Sequence, residues 1–379
     1  MLAGCSETRC RIHAHFDLRR DCGIQLRGRV SQGLTNLKND IEAVDLFCGA
    51  AGLSWGLKKS GITIAAGIDL DPACQFPFEK NIGAPFLQLD VGSLSNEAVA
   101  ELFSSKVRVL AGCAPCQPFS GYTTRRRAID PRWQLLLEFL RIAEGVKPEI
   151  VTLENVPRLA HLPLWTTFVS RLEAAGYHVT WGILDAAQYG VPQNRRRLVL
   201  LGSRFGKIDL PKAKKSTAPT VRSAISGLRG ISAGKKNEND PLHAARALTA
   251  RNLARIRIAR PAGTWKEWPK HMRAACHTSE KGRTYPSVYG RMSWDKPAPT
   301  ITTQFYGFGN GRFGHPDQDR AITLREGSLL QSFPKSFKFA EDGLRVNFRA
   351  IGRLIGNAVP PALAQAIGKA IVDHVRQRR

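Results

Sequence analysis

The stretch AVDLFCGAAGLSWGL, Ala43–Leu57, holds three signals in sequence. Ala43–Phe47 is an apolar run of strand length. Gly49 and Gly52 then allow a tight turn and a close backbone approach. Leu53–Lys59 continues at helical spacing, so the free N–H groups of a helix start face that turn. The same alternation continues outward. Ile62–Ile68 reads as a second strand, Pro72–Asn81 as a helix and Phe86–Leu89 as a third strand. Glu97–Phe103 follows as helix, Val107–Ala111 as strand, Trp133–Gly145 as amphipathic helix and Ile150–Leu153 as strand. Trp165–Ala175 is helical, and Tyr177–Leu184 and Arg197–Leu201 read as two more strands. Strands alternating with helices at this spacing predict an α/β fold with a doubly wound, mostly parallel sheet. Ligands of such sheets sit beyond the carboxyl ends of the strands.

Beyond this block the chain changes character. Residues 1–40 lack steady periodicity and read as an extension, partly disordered. Pro211–Ser216 is a Pro/Lys-rich break, and Gly227–Asp240 reads as loop. Residues 206–340 show little regular periodicity and predict a second, irregular domain. Gly352–Val375 turns helical again around Pro360-Pro361. Apolar residues make up 43% of the 379 and charged residues 23%, which suits packed cores. The longest apolar runs, about eight residues, are too short to cross a membrane. Arg9, Arg11, Asp17, Arg19 and Arg20 stand where an export signal needs an apolar stretch. Eight scattered cysteines fit reduced thiols in a cytoplasm better than a disulfide scaffold.

The charge is uneven. The net charge is +25, yet residues 41–202 hold 16 basic against 15 acidic groups. Residues 203–290 hold 19 basic against 5 acidic groups, a net of +14. A merely basic, soluble surface would be more uniform. A near-neutral half joined to a basic half points to a polyanionic partner, nucleic acid first.

Several strand ends carry candidate chemistry. A nicotinamide cofactor would favour G-x-G-x-x-G, which is absent from the first turn. Asp69, about twenty residues on from the turn, can hold the two ribose hydroxyls of a nucleoside. Asp90, after the third strand, can accept from an adenine amino group. The fourth strand runs into GCAPCQPFSGY, Gly112–Tyr122. Cys113 and Cys116 form a C-x-x-C, but no second pair or Cys/His partner follows to complete a zinc site. A redox pair would normally open a helix, and Gln117-Pro118 does not read as one. What remains is one nucleophilic cysteine on a Pro-stiffened loop, or an inert buried thiol. The fifth strand delivers EIVTLENVPRL, Glu149–Leu159. A carboxylate such as Glu154 at a buried strand end is costly unless used. Desolvation would raise its pKa and let it act as an acid. In QNRRRLVLLG, Gln193–Gly202, Arg195 and Arg197 would share one strand face, either the pocket or a solvated basic edge.

Together these blocks resemble the DNA (cytosine-5)-methyltransferases, of the bacterial type that depends on S-adenosylmethionine. DLFCGAAGLS, PCQPFS, ENV and QNRRRLVLLG occur in the family's order. They are followed by RAITLREGSLLQSFP (Arg320–Pro334) and GRLIGNAVPPALAQAI (Gly352–Ile367). The resemblance spans Ala43 to the C-terminus. Ala51 stands where a glycine is usual, and the 40-residue leader matches nothing.

The resemblance implies a methyltransferase fold of the Rossmann-like type. It implies a catalytic and cofactor-binding domain at 41–205, completed by 341–379, and a small target-recognition domain at 206–340. It makes Cys116 the nucleophile and Glu154 the acid, with Arg197 on the exocyclic oxygen of cytosine and Arg195 near the thiolate. It assigns S-adenosylmethionine contacts to Phe47, Gly49, Gly52, Asp69, Leu70, Asp90, Val91, Pro115, Leu135, Asn357 and Val359. The expected partner is double-stranded DNA, with Arg251, Arg255 and Arg257 as candidate contacts. A cognate restriction endonuclease would act separately, and the enzyme is expected to be a monomer. Trp265, Trp268 and Tyr289 suit either a small-domain core or base contacts. Cys113 and Cys48 are expected to pack, while Cys5, Cys10, His13, His15 and Cys22 are spaced too irregularly for an ordinary metal site. A tRNA cytosine-5 methyltransferase shares the same motifs. An adenine methyltransferase would need (Asp/Asn)-Pro-Pro-(Tyr/Phe) where PCQP stands, and a silent binding protein would have no need of both Cys116 and Glu154.

Overall fold

The computed structural model describes residues 40–115, 132–213, 217–279, 282, 286–341, 343 and 345–378. Cys116 and the leader lie outside them. Five strands and their crossovers come first. They are β1 (Ile41–Leu46), α1 (Gly52–Lys59), β2 (Thr63–Asp69), α2 (Gln75–Ile82) and β3 (Phe86–Gln88). Then come α3 (Asn96–Ala100), β4 (Val107–Gly112), α4 (Arg132–Val146) and β5 (Ile150–Asn155). α5 (Pro163–Ala174), β6 (His178–Asp185) and β7 (Arg196–Ser203) complete a seven-stranded sheet of order β3-β2-β1-β4-β5-β7-β6.

β1 to β5 pair in parallel, as the alternation predicts. β7 does not: it lies antiparallel between β5 and β6. The link from Asp185 to Arg196 is too short for a parallel crossover, which needs a dozen residues or more. The chain therefore turns back, and β7 fills the slot that α5 skipped. Other elements depart from expectation at their ends. The Asp71 side chain accepts from the Ala73 N–H and starts a short 3₁₀ turn at Pro72, so the second helix begins only at Gln75. The third stops at Ala100 rather than Phe103.

The chain continues through α6 (Val221–Ile225), β8 (Lys236–Asn237), β9 (Asp240–Ala244) and α7 (Ala250–Ile258). It ends in α8 (Leu324–Leu330), α9 (Phe348–Asn357) and α10 (Pro361–Gln377). The last two helices are separate because Pro360 cannot continue the α9 hydrogen-bond ladder. Strand alternation sends Ala43 to one face of the sheet and Val44 to the other. One face packs on α1 and α10, where a Cβ at Gly56 would stand 2.4 Å from that of Ala364. Only hydrogen side chains at Gly56 and Gly368 let these two helices close. This core also takes in Ile301, Phe305, Phe333 and Phe337 from the irregular stretch. The other face packs on α4 and α5 through Phe139, Trp165 and Phe168. A third cluster gathers Ile256, Trp265, Trp268 and Phe308. Among the described residues no helix is long and apolar enough to cross a membrane.

Candidate active site

The turn after β1 is held in an unusual conformation. Phe47, Gly49 and Ala51 all adopt left-handed φ values, 58°, 52° and 63°. Such angles strain a residue with a Cβ, so Phe47 and Ala51 persist only because the surroundings fix them. The Cys48 N–H donates to the Ile68 carbonyl at 3.1 Å, and the Gly49 N–H donates to Asp69 Oδ2 at 2.9 Å. Asp69 Oδ1 accepts from the Asp71 N–H at 3.0 Å. Burial raises the Asp69 pKa above its ordinary value. A Cβ at Gly49 would meet open space, whereas one at Gly52 would lie 2.3 Å from the Val359 carbonyl oxygen. Gly52 is thus required where α1 starts against the chain between α9 and α10.

Below the turn sits Asp45, fully buried. Ser54 Oγ donates to its Oδ2 at 2.5 Å, while among the described residues Oδ1 has no hydrogen-bond donor. Desolvation pushes its pKa up to about 7. Cys48, equally buried, has its thiol pKa driven well up by the same cause, consistent with packing rather than reaction.

At the carboxyl end of β5, Glu154 is only 3% exposed. β7 runs antiparallel to β5, so Arg197 at its start meets the β5 end. Arg197 Nε lies 2.9 Å from Glu154 Oε1. Cys113 Sγ donates to Glu154 Oε2 at 3.0 Å. Cys113 was expected only to pack; the structure instead puts it on the candidate acid. Next along the strand, Asn155 Nδ2 donates to the Ala114 carbonyl at 3.2 Å. It pins the strand-to-loop junction just before Cys116.

Arg195 is placed differently from Arg197. Strand β7 begins at Arg196, so the alternation expected of the two arginines does not apply. Arg195 is 2% exposed and donates to the carbonyls of Ile301 at 3.0 Å, Gly356 at 3.0 Å and Ala358 at 3.2 Å. Gln193 beside it accepts from the Ile301 N–H at 2.8 Å and donates to Gln331 Oε1 at 2.8 Å. These two side chains bind the end of the sheet to the C-terminal blocks. Sequence reasoning missed Gln193, although its place in QNRRR was visible.

Phe47, Gly49, Gly52, Asp69 and Val359 converge on the β1–α1 turn. Leu70, 65% exposed, follows β2 on the same sheet edge. Asp90 follows β3 and accepts from the Gly92 N–H at 3.0 Å, with Val91 buried beside it. Pro115 is exposed after β4, Leu135 is half-buried on α4, and Asn357 is exposed at the end of α9.

The candidate DNA contacts on α7 divide. Arg255 is 7% exposed, donates to the Met272 carbonyl at 2.8 Å and lies over the Tyr289 ring. That corrects its reading as a surface contact: it braces the interior of this unit. Arg251 is exposed and donates to the His271 carbonyl at 3.4 Å. Arg257 is exposed and 3.5 Å from Asp319. Trp265 and Trp268 are each 3% exposed, which makes them core. Tyr289 packs edge-on to Trp268.

Residues 41–373 match the family model of the C-5 cytosine-specific DNA methylases. The chain is 44% identical over 346 residues to the type II methylase M.HgiDII of Herpetosiphon aurantiacus, covering 88% of this chain and 97% of that one. It is 32% identical to the type II methyltransferase M1.HphI of Haemophilus parahaemolyticus, covering 87% and 86%. Among solved structures, a prophage-encoded E. coli protein assigned to the DNA modification methyltransferases superposes with a TM-score of 0.69 at 21% identity. That match covers 89% of this chain and 99% of the other. The Dnmt2 methyltransferase of S. pombe gives 0.62 at 17%, with the same coverage. These two likenesses concern the fold; the family rests on the sequence matches. The chain belongs to the C-5 cytosine-specific DNA methylases.

Proposed function

We propose that the protein transfers a methyl group from S-adenosylmethionine to carbon 5 of a flipped-out cytosine within a specific duplex DNA sequence. The observation that carries this reading is Glu154, buried at the end of β5 between Arg197 and Cys113, the latter three residues before Cys116 in the sequence. Carbon 5 of cytosine is a weak nucleophile. Addition of the Cys116 thiolate to carbon 6 pushes electron density onto it. Glu154 supplies a proton or hydrogen bond to ring nitrogen 3 as charge develops. Arg197 orients Glu154 and holds the exocyclic oxygen. After transfer, loss of the carbon 5 proton and departure of Cys116 restore the aromatic ring. No base inside a duplex is accessible to these groups, so the target must leave the stack.

The β1–α1 turn fits the nucleoside cofactor. Open space at Gly49, the closure of Gly52 on Val359, and Asp69 at the end of β2 form a cradle that side chains would fill. Phe47, Leu70, Asp90, Val91, Pro115, Leu135 and Asn357 would complete it. The bound cofactor supplies an electrophilic methyl group. Arg195 is assigned to positioning, through Ile301, Gly356 and Ala358. Residues 206–340 would supply target recognition, with Ile301, Phe305, Phe333 and Phe337 of this stretch packed into the sheet core, and Arg251 and Arg257 are exposed for phosphates there. The enzyme would act as a cytoplasmic monomer beside the nucleoid, with any cognate restriction endonuclease acting separately. Incubation with tritiated S-adenosylmethionine and either plasmid DNA or tRNA tests the reading. Label on DNA alone, at one cytosine of a repeated sequence, is expected; label on tRNA alone overturns it.

A further inference from the structure

The basic surface that stands out in the structure is not on α7. A groove of about 750 Å³ runs between the β8–β9 hairpin and the start of α9. Its wall carries Lys235, Lys236, Arg246, Arg345 and Arg349 and, among the described residues, no carboxylate. All five are exposed. Elsewhere arginines have acidic partners, as in Arg222–Asp295, Arg325–Asp240 and Arg353–Asp71. Among the described residues, none of the five has one. Five like charges in one concavity repel each other and weaken the fold unless a polyanion neutralises them. Arg246 is also pre-set: its guanidinium lies 5.8 Å from the Tyr306 ring centroid and 5.9 Å from that of Phe348. Cation–π contacts of this kind hold a guanidinium in place and leave N–H groups for phosphate oxygens.

The groove has a defined place relative to the reaction. Phe348 opens α9 at the groove and Asn357 closes it at the proposed cofactor edge. At about 1.5 Å per residue the two ends are about 14 Å apart. A duplex lying along α9 would meet the groove about four base pairs from that edge, at about 3.4 Å each. We propose that this groove binds the phosphate backbone of duplex DNA about four base pairs from the target cytosine, which fixes the register of the duplex on the enzyme. The proposal rests on the DNA-methylating reading above and adds the surface that takes the flanking DNA.

The test compares the parent with a variant in which Lys235, Lys236, Arg246, Arg345 and Arg349 are all replaced by Gln. Duplex affinity is measured between 50 and 200 mM salt, since each phosphate contact contributes about 0.9 to the log–log slope. The variant is expected to lose at least about 2 from that slope, and to bind S-adenosylmethionine as the parent does. Duplexes with uncharged methylphosphonate linkages about four base pairs from the target should weaken the parent and leave the variant unaffected. An unchanged slope in a variant that still binds cofactor overturns the groove. Uncharged linkages that weaken both proteins equally do so too. A parent that methylates no duplex overturns the underlying reading instead, so the two failures are distinct.

Discussion

Arg197 Nε lies 2.9 Å from Glu154 Oε1, across the only described strand pair that joins β5 to β7. The pair explains how a carboxylate survives at a buried strand end, since an isolated buried charge would be strongly unfavourable. It also fixes the carboxyl in one orientation, with Cys113 on the other oxygen. Glu154→Gln keeps the shape and removes the group that can take up and pass on a proton. Turnover should fall by about 10²–10⁴-fold, the usual range for general acid–base catalysis, with cofactor affinity unchanged. Single-turnover kinetics on a duplex substrate measure this, and a variant with full activity would remove Glu154 from the mechanism.

Arg195 gives a contrasting prediction. Its replacement by Met strands the carbonyls of Ile301, Gly356 and Ala358 in the interior. Each buried acceptor left unpaired costs about 1–3 kcal/mol, so a total loss of about 3 kcal/mol or more is expected. Calorimetry should show a lower Tm, and S-adenosylmethionine should bind more weakly because Val359 loses an anchor. An Arg195→Met protein with parental Tm and cofactor affinity, yet no turnover, would return Arg195 to the reacting groups.

The fold that carries this site was largely legible in the sequence, and the failures have physical causes. The strand-to-helix alternation and the Gly-containing turn are local signals, and they predicted β1 to β5. The place of β7 depends on a short return link and on pairing partners more than forty residues away. No periodicity encodes that. Arg195 and Arg197 look equivalent by spacing, but one precedes the strand and the other lies within it. Arg255 reads as surface because it is charged, yet α7 turns it towards Met272 and Tyr289. The Cys113–Glu154 contact joins two strand ends that adjoin only once the sheet exists.

Asp45 predicts a pH dependence of stability. Its pKa is 3.8 ordinarily and about 7 in the fold, so the folded state binds the extra proton between those values. Stability from this group is therefore greatest at low pH and falls as pH rises from about 4 to about 7, by at most about 4 kcal/mol. Above pH 7 it adds no further slope. Asp45→Asn should flatten that part of the profile. Urea denaturation at pH 5 and pH 7.5 would show it, and an Asn variant with the parental difference between the two would exclude Asp45 as the source.

The central claim is a covalent bond between Cys116 and the target cytosine. Duplex DNA with 5-fluorocytosine at the target has no carbon 5 proton to lose, so after methyl transfer the adduct should persist. Mixed with S-adenosylmethionine and enzyme, it should give a denaturant-resistant complex with the parent and with Cys113→Ala, and none with Cys116→Ala. A complex that survives in Cys116→Ala but disappears in Cys113→Ala would contradict the account and move the nucleophile to Cys113.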